Sequence, residues 1–262
     1  MVTLLVVLFG FCLGSFINVV IHRMPKEQSL WHPGSRCPKC RRPIAFYDNV
    51  PVVSWLVLRG RCRGCGTRIS ARYPLVESLV AVLTWLLWER GGGGSWSILT
   101  ILASAALVAV AFIDWDTFLI PDELSLGLLA VGLLSAPINP FFASALGHGA
   151  WYGRMLFSLL GAGTGFAICW ATAEFGERLF KREALGGGDV KLLAAVGAWT
   201  GALGAFDCMM IGALAGSVYG VARMARGTLK RYEPMPFGPF LSAAAVFNFF
   251  KLLPFGFPFG PI

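Results

Sequence analysis

Long blocks of apolar residues constrain this chain more than any other feature of its sequence. Apolar residues make up 56% of its 262 residues, charged residues only 14%, and the mean hydropathy is +0.68. A soluble domain carries about 25% charged residues, and one membrane span needs about 17–25 consecutive apolar residues. The blocks therefore predict an all-α polytopic membrane protein whose main surroundings are the lipid bilayer.

We expect about eight transmembrane helices, several of them short. The first block lacks the basic amino-terminal region and the small-residue cleavage site of a signal peptide, so it is predicted to be a retained helix. The chain then divides into a first span at 1–21, an insert at 22–72 and a membrane domain at 73–262. The predicted spans are Val2–Ile21, Tyr73–Trp88, Trp96–Ile113, Glu123–Pro137, Met155–Ala173, Val190–Phe206, Cys208–Ala222 and Phe237–Leu253.

Basic residues are concentrated in alternate loops between these spans. Of the 22 Lys and Arg residues, 19 lie in or directly beside the loops after spans one, five and seven, and three lie elsewhere. Because Lys and Arg are enriched in cytoplasmic loops, this pattern places those three loops in the cytoplasm and both termini outside. The net charge of +8 would also suit a nucleic-acid-binding protein, but the membrane setting argues against that class.

The insert at 22–72 contains two Cys-x-x-Cys pairs, formed by Cys37 with Cys40 and by Cys62 with Cys65. Two such pairs can complete a tetrahedral Cys₄ zinc site. An insert of this size buries little apolar core, so a metal would contribute much of its folding free energy. A redox pair or two disulfides are the alternatives; the cytoplasmic placement disfavours stable disulfides, and the surrounding sequence does not resemble a thioredoxin fold.

Two aspartates, Asp114 and Asp189, lie at the predicted cytoplasmic ends of apolar blocks. A carboxylate at membrane depth costs at least about 2.5–3.5 kcal/mol and marks a functional site by default. Two carboxylates that lie close together share one proton, so one can act as base and the other as acid. Such a pair could activate water against a peptide carbonyl and protonate the departing amine. Taken singly, each aspartate could equally bind a cation or relay protons.

The residues around the two aspartates are predicted to have structural or supporting roles. Asp116 should face away from Asp114 on a helix, and Asp122, which follows a proline, is expected to start the next helix. Gly186 and Gly188, in the run before Asp189, would let a substrate backbone approach and would permit unusual backbone conformations. Lys191 is either a membrane-edge anchor or an electrostatic partner of Asp189.

Five motifs in order resemble the bacterial type IV prepilin peptidases, membrane aspartic proteases of the GxGD class. The segment from Gly14 to Pro25 resembles the amino-terminal signature of the family, and the paired Cys-x-x-Cys insert follows. The segments Asp114–Asp122 and Gly186–Lys191 resemble those that carry the two catalytic aspartates, and Pro236–Phe240 resembles the motif that opens the last span. The resemblance covers essentially the whole chain.

The resemblance implies an enzyme of the bacterial inner (cytoplasmic) membrane that cleaves the leader of type IV prepilins or type II secretion pseudopilins after a glycine, at the cytoplasmic face. It implies that Asp114 and Asp189 are the catalytic pair and that Cys37, Cys40, Cys62 and Cys65 bind zinc. It further implies N-methylation of the new amino terminus with S-adenosylmethionine as methyl donor. The cofactor-binding residues remain unknown; Asn18, Arg23 and Glu77 are candidates by location alone, with structural roles as the alternative.

Three other functions stay open from the sequence. A peptidase without methyltransferase activity would keep the aspartates and use the insert as a docking or structural module. A proton- or cation-coupled transporter would explain buried acids and many spans, although such transporters show internal repeats that meet near the midplane. A zinc-anchored membrane scaffold would leave both aspartates without a purpose. Neither the oligomeric state nor the set of substrates follows from the sequence.

Overall fold

Helices form almost all of the regular structure in the computed structural model of this protein. Residues 2–146, 150–181, 185–230 and 233–250 are described. Within these ranges there are no strands, only two isolated β-bridges inside the insert. The α-helices are α1 (Val2–Arg23), α2 (Val53–Val57), α3 (Arg72–Arg90), α4 (Ser95–Thr117), α5 (Asp122–Ser135), α6 (Pro140–Ala145), α7 (Trp151–Phe180), α8 (Gly187–Ala225) and α9 (Gly238–Phe249).

The chain forms two units, Met1–Ala109 and Val110–Ile262, whose boundary falls within α4. These units are defined by packing contacts within the chain. The predicted division at 1–21, 22–72 and 73–262 separates the first membrane span, the insert and the membrane domain, and it stays a prediction. In the first unit α1 packs along α3. The contact is close: a Cβ added at Gly10 would lie 2.7 Å from the Cα of Ala81, and one added at Gly14 would lie 2.6 Å from the Cα of Glu77. Small residues spaced by four are a common way to bring two membrane helices together.

The second unit is organised around α8, which packs against α5, α7 and α9. The tightest crossing is between α7 and α8, where Gly161 and Gly197 face each other. A Cβ on either glycine would overlap the carbonyl oxygen of the other. Backbone-to-backbone packing of this kind supplies the van der Waals contact that holds helices together where lipid provides no hydrophobic driving force.

Helix α8 is interrupted at Gly201, which has φ 76° and ψ −179°. Such a conformation is accessible to glycine at little cost, and it breaks the ladder of helical hydrogen bonds. Two buried side chains accommodate the break by donating to nearby carbonyl oxygens. The amide of Asn139 bonds to the oxygen of Trp199 at 2.9 Å, and the hydroxyl of Ser158 bonds to that of Ala198 at 2.7 Å.

This break corrects the sequence-based boundary between the sixth and seventh spans. The predicted spans Val190–Phe206 and Cys208–Ala222 leave Asp207 as the residue between them. In the structure Asp207 lies inside the second helical segment and is completely buried. The interruption falls earlier, at Gly201, because backbone geometry and not side-chain charge decides where a helix breaks.

In the part of the chain that the structure describes, four helices are long and apolar enough to cross a membrane: Val2–Lys26, Ser95–Thr117, Trp151–Leu179 and Gly187–Ala225. The other predicted spans are helical where the structure describes them. However, α5 has only 14 residues and α9 has 12, shorter than the ~20 that a perpendicular span requires. The expected end of the last span, at Leu253, lies outside the described residues. The membrane-helical fold is confirmed, and the count of eight remains a prediction.

The contact between Gly161 and Gly197 can be tested by adding single methyl groups. We expect Gly161→Ala and Gly197→Ala each to lower stability by about 1–3 kcal/mol, the typical cost of overpacking a tight interface. Gly163→Ala is the matched control, because Gly163 lies on the same helix with open space around its Cα. Thermal unfolding in detergent, followed by circular dichroism, measures the difference. Equal melting temperatures for all three variants would show that the crossing is looser than described.

Candidate active site and metal centre

Asp114 lies in the last turn of α4, where its carboxylate meets the beginning of α9. Asp114 is only 5% exposed. Its Oδ2 accepts a hydrogen bond from the backbone N–H of Gly238, with 2.8 Å between nitrogen and oxygen. The amino terminus of a helix presents unpaired N–H groups and a partial positive charge, both of which favour a carboxylate. A Cβ at Gly238 would lie 2.8 Å from that same oxygen. The Pro236–Phe240 motif therefore supplies a glycine where the acid needs room.

Asp189 lies in the first turn of α8 and is 8% exposed. Its Oδ2 accepts the backbone N–H of Gly186 at 3.2 Å, which is half of a capping box. Its Oδ1 is buried and accepts no hydrogen bond from the residues that the structure describes. A buried oxygen without a protein partner is uncommon, so this atom is available to a water molecule or a substrate group.

The structure brings Asp114 and Asp189 together within the second unit. Although the two residues are far apart in sequence, their carboxyl groups lie within electrostatic range of each other. Two buried carboxyl groups within electrostatic range of each other favour sharing a proton over carrying two negative charges. The arrangement can therefore present one acid and one base to a substrate, which is what peptide hydrolysis requires.

Lys191 has a partner that the sequence did not suggest. Its ammonium contacts both carboxylate oxygens of Asp122, at 2.7 Å and 2.8 Å. Lys191 therefore does not bind Asp189 in this structure. Asp122 begins α5 and is also the ion-pair partner of Lys191. The ion pair joins the segment after Asp114 to the segment around Asp189. Next to it, Gly188 lies against Ile120, whose Cβ would be 2.9 Å from an added methyl group.

The remaining predictions about this region have mixed outcomes. Asp116 is exposed whereas Asp114 is buried, so the two side chains face different ways, as expected. The glycine run does not adopt unusual conformations: Gly186 has φ −74°, and neither Gly187 nor Gly188 has a positive φ. The absence of a side chain matters for close packing at Gly188, while Gly187 has open space around it.

The four cysteines of the two Cys-x-x-Cys pairs form one cluster in the first unit. The two loops have the same backbone geometry, which is typical of zinc knuckles. In each loop, the backbone N–H of the first cysteine donates to the carbonyl oxygen of the residue five positions later. The carbonyl oxygen of the same cysteine accepts the N–H of the residue four positions later. The residue at that fourth position has a positive φ in both loops, 57° for Arg41 and 68° for Gly66.

The sulfur atoms of Cys37, Cys40, Cys62 and Cys65 all lie within 4.8 Å of one another. The Sγ atoms of Cys37 and Cys65 are 3.8 Å apart, close to the ~3.8 Å that tetrahedral geometry with Zn–S bonds of about 2.3 Å implies. Hydrogen bonds from the backbone of Cys40 and Lys39 lower the pKa of the Cys37 thiol to about 6. Thiolates are the metal-binding form, so the lowered pKa favours metal binding at Cys37, and the proximity of the four sulfur atoms makes the cluster fit a metal ion.

The three residues considered for cofactor binding by location all have structural partners. The Asn18 amide donates to the carbonyl oxygen of Tyr73, and the Arg23 guanidinium donates to two carbonyl oxygens of the insert, those of Ser29 and Pro33. The Glu77 carboxylate accepts the backbone N–H of Val52 at 2.7 Å. The Asn18 contact joins α1 to α3, and those of Arg23 and Glu77 attach the insert to these two helices. All three contacts favour the structural alternative.

Two features of the site region were missed by sequence reasoning. The Asp122–Lys191 pair is invisible in sequence because its partners lie on different helices. The close helix contacts could have been found, since Gly10 with Gly14 and Gly161 with Gly165 follow the Gly-x-x-x-Gly spacing that marks membrane helix packing.

Comparison with known proteins gives matches along nearly the whole chain. Residues 8–90 match the bacterial peptidase A24 N-terminal domain, and residues 101–221 match the type IV leader peptidase family. The prepilin leader peptidase/N-methyltransferase of Aeromonas salmonicida is 36% identical, over 92% of this chain and 87% of the relative. The enzyme of the same name from Myxococcus xanthus is 40% identical, over 81% of this chain and 60% of the relative.

A further relative is named the type 4 prepilin-like proteins leader peptide-processing enzyme of Escherichia coli. It is 36% identical, over 90% of this chain and 89% of the relative. No solved structure matches the chain significantly. The match to the family model contains Asp114 and Asp189, and the match to the N-terminal domain contains the four-cysteine cluster. With identities above 30% over most of both sequences, this chain belongs to the type IV leader peptidase family.

Proposed function

We propose that this protein is a prepilin leader peptidase and N-methyltransferase of the bacterial inner membrane. It removes the leader of type IV prepilins or type II secretion pseudopilins after a glycine and methylates the new amino terminus. The observation that carries the peptidase function is the pair of buried carboxyl groups, Asp114 and Asp189, on separate helices within electrostatic range. The names of the relatives support both activities.

The proposed hydrolysis needs only these two side chains and a water molecule. The ionised carboxylate takes a proton from water as the water oxygen attacks the scissile carbonyl carbon. The protonated carboxyl group then gives its proton to the peptide nitrogen, and the carbon–nitrogen bond breaks to leave an acid and a free amine. The unpartnered Oδ1 of Asp189 is a suitable contact for the water or the carbonyl group.

Asp122, Lys191, Gly186 and Gly188 support this site in the proposal. The Asp122–Lys191 ion pair holds the two aspartate-bearing segments in register. Gly188 allows Ile120 to pack against the start of α8, and Gly186 donates the N–H that orients Asp189. An exposed ion pair contributes about 0–1 kcal/mol, so its value lies in positioning and not in stability.

The four-cysteine cluster is proposed to hold one structural zinc ion, with Cys37, Cys40, Cys62 and Cys65 as ligands. The metal would stabilise the fold of the insert and supply no chemistry. S-adenosylmethionine is proposed as the methyl donor, its methyl group passing to the amine released by cleavage. The residues that bind it are not assigned, because Asn18, Arg23 and Glu77 are engaged in contacts that join α1, α3 and the insert.

The proposed topology has eight spans with the active site at the cytoplasmic face. As a single straight helix, the 39 residues of α8 would extend about 58 Å, twice the ~30 Å hydrocarbon thickness. The break at Gly201 therefore supports two spans. The basic loops after spans one, five and seven support the orientation. Membership of a peptidase family removes the reason to prefer a transporter or a scaffold.

The catalytic pair is tested by replacing each acid with its isosteric amide. Asp114→Asn and Asp189→Asn should each lower the rate of prepilin cleavage by at least about 100-fold, because an amide cannot exchange the proton. Asp116→Asn is the matched control, since Asp116 is exposed on the same helix, and it should keep most of the activity. Cleavage of a prepilin in detergent or proteoliposomes, followed by gel mobility, measures the rates.

Transfer of a labelled methyl group to a pre-cleaved pilin provides the folding control for these variants. We expect both Asn variants to methylate it at rates near that of the wild type, because methyl transfer does not need the acid pair. Near-normal cleavage by either Asn variant would disprove the catalytic assignment. A wild-type protein that cleaves but transfers no methyl group would restrict the function to the peptidase.

The metal centre is tested by metal content. The purified protein should contain about one zinc per chain, and Cys62→Ser should lower that content and loosen the insert toward proteolysis. Cys12→Ser is the control, because Cys12 lies on α1 outside the cluster. Four thiols that react freely with an alkylating agent in the native protein would argue against a bound metal.

The orientation is tested with reporter fusions in the loops. A fusion at Gly92 should be active only as a periplasmic reporter, and fusions at Lys39 and Lys230 only as cytoplasmic reporters, following the distribution of basic residues. The activity of the fused reporter enzyme in cells provides the measurement. A cytoplasmic signal at Gly92 would reverse the first two spans and overturn the proposed topology.

A further inference from the structure

The insert exposes apolar side chains in one continuous stretch, residues 44–57, which we call the apolar strip. It includes a 3₁₀ turn at Phe46–Asn49 and the short helix α2. Six of its apolar side chains are between 45% and 86% exposed: Phe46, Tyr47, Val50, Val53, Leu56 and Val57. A soluble surface rarely presents so many neighbouring apolar groups unless something covers them.

A partly buried hydrogen bond holds the apolar strip beside the membrane helices. The Glu77 carboxylate accepts the N–H of Val52 at 2.7 Å, and Glu77 lies about 7.5 Å inside α3 at a rise of 1.5 Å per residue. At the same level Glu77 packs against Gly14, which lies about 13 Å before the end of α1 by the same rise. Because α1 is long and apolar enough to cross a membrane, the strip is held at the depth of the membrane edge.

The backbone of the strip is strained to reach this position. Val52 has φ 60° and ψ −51°, a genuine outlier for a β-branched residue. The N–H of Val53 bonds to the carbonyl oxygen of Pro51 at 2.6 Å, which makes Val52 the centre of the rare, strained form of the γ-turn. Such strain persists only where the surroundings enforce it, and here the enforcing contact is Glu77.

The charge of the insert is strongly one-sided. Residues 22–72 contain eleven Lys or Arg residues and only two acids, Glu27 and Asp48. Asp48 is already engaged by Arg63, with Nη2 and Oδ1 2.7 Å apart. Each basic group near an anionic membrane surface adds attraction that salt screens. Exposed apolar side chains beside basic ones are the composition of segments that lie in a membrane interface.

We propose that the apolar strip is an interfacial anchor, which inserts its apolar side chains into an anionic lipid surface while the basic residues of the insert contact the headgroups. The anchor fixes the insert on the bilayer independently of the enzyme's chemistry. A lipid surface fits better than a protein partner because Glu77 holds the strip at membrane depth and the surrounding charge is basic. A contact between copies of this chain is a distinct outcome of the test.

The experiment places an environment-sensitive fluorophore on the full-length protein in proteoliposomes. Phe46→Cys and Leu56→Cys are labelled in a Cys12→Ser background, since Cys12 is exposed. The lipid is phosphatidylcholine, alone or mixed at about three to one with anionic phosphatidylglycerol, with bromine on the acyl chains as a depth quencher. Bromolipid should quench the fluorescence of both probes, and the quenching should be stronger with phosphatidylglycerol present. This additional quenching should vanish in about 1 M salt, where the Debye length is about 3 Å.

Two matched controls make the result specific to the strip. A probe at Arg68→Cys, an exposed position in the second cysteine loop, should be quenched by aqueous iodide and not by bromolipid. Glu77→Ala should reduce bromolipid quenching at Phe46 by at least half, whereas Glu77→Gln, which keeps an oxygen acceptor for Val52, should largely preserve it.

Three results would overturn the proposal. One is quenching of Phe46 and Leu56 by iodide alone, which would place the strip in water. Another is bromolipid quenching at Arg68 equal to that at Phe46, which would leave the strip no special role. The third is self-quenching of the Phe46 probe that grows with the protein-to-lipid ratio while bromolipid has no effect, which would assign the strip to a contact between copies of this chain.

Discussion

A polar group inside a bilayer has no water to bond, so it must find its partner within the protein. The contacts that shape both units follow from this constraint. Asn18 bonds to a carbonyl oxygen at the start of α3, and Asn139 bonds to one beside the break in α8. The Asp114 carboxylate accepts a hydrogen bond from the first backbone N–H of α9. Asp207 is an exception that nothing in the structure explains, with both oxygens buried and unpartnered among the described residues.

The same constraint connects the proposed chemistry to the fold. A carboxyl group buried in this setting is costly unless it is hydrogen-bonded or shares a proton. Asp114 and Asp189 each receive one backbone N–H, from Gly238 and Gly186, and each lies within electrostatic range of the other. Helix ends bring these donors to the acids, so the site forms where α4 ends and where α8 and α9 begin. Helix termini provide the polar groups that a membrane interior otherwise lacks.

Close packing through glycine is the second determinant of this architecture. Side chains at Gly14, Gly161 or Gly197 would separate helices whose backbones touch. At Gly201 the role is conformational, because the positive φ that breaks α8 is costly for other residues. The predicted boundary at residue 207 does not coincide with the break in α8, because the fully buried Asp207 lies within helix and the break falls at Gly201.

The membrane-helical class, the four-cysteine cluster and the pair of aspartates could all be predicted from the chain, because they depend on composition, local spacing and the rarity of charge in apolar blocks. Which side chains meet could not be predicted, because it depends on how the helices pack. Tertiary structure paired Lys191 with Asp122, placed Gly238 against Asp114, and used Glu77 to hold Val52. Each of these contacts joins residues on separate elements, and no periodicity or motif along one chain encodes the distance between two helices that pack only after folding.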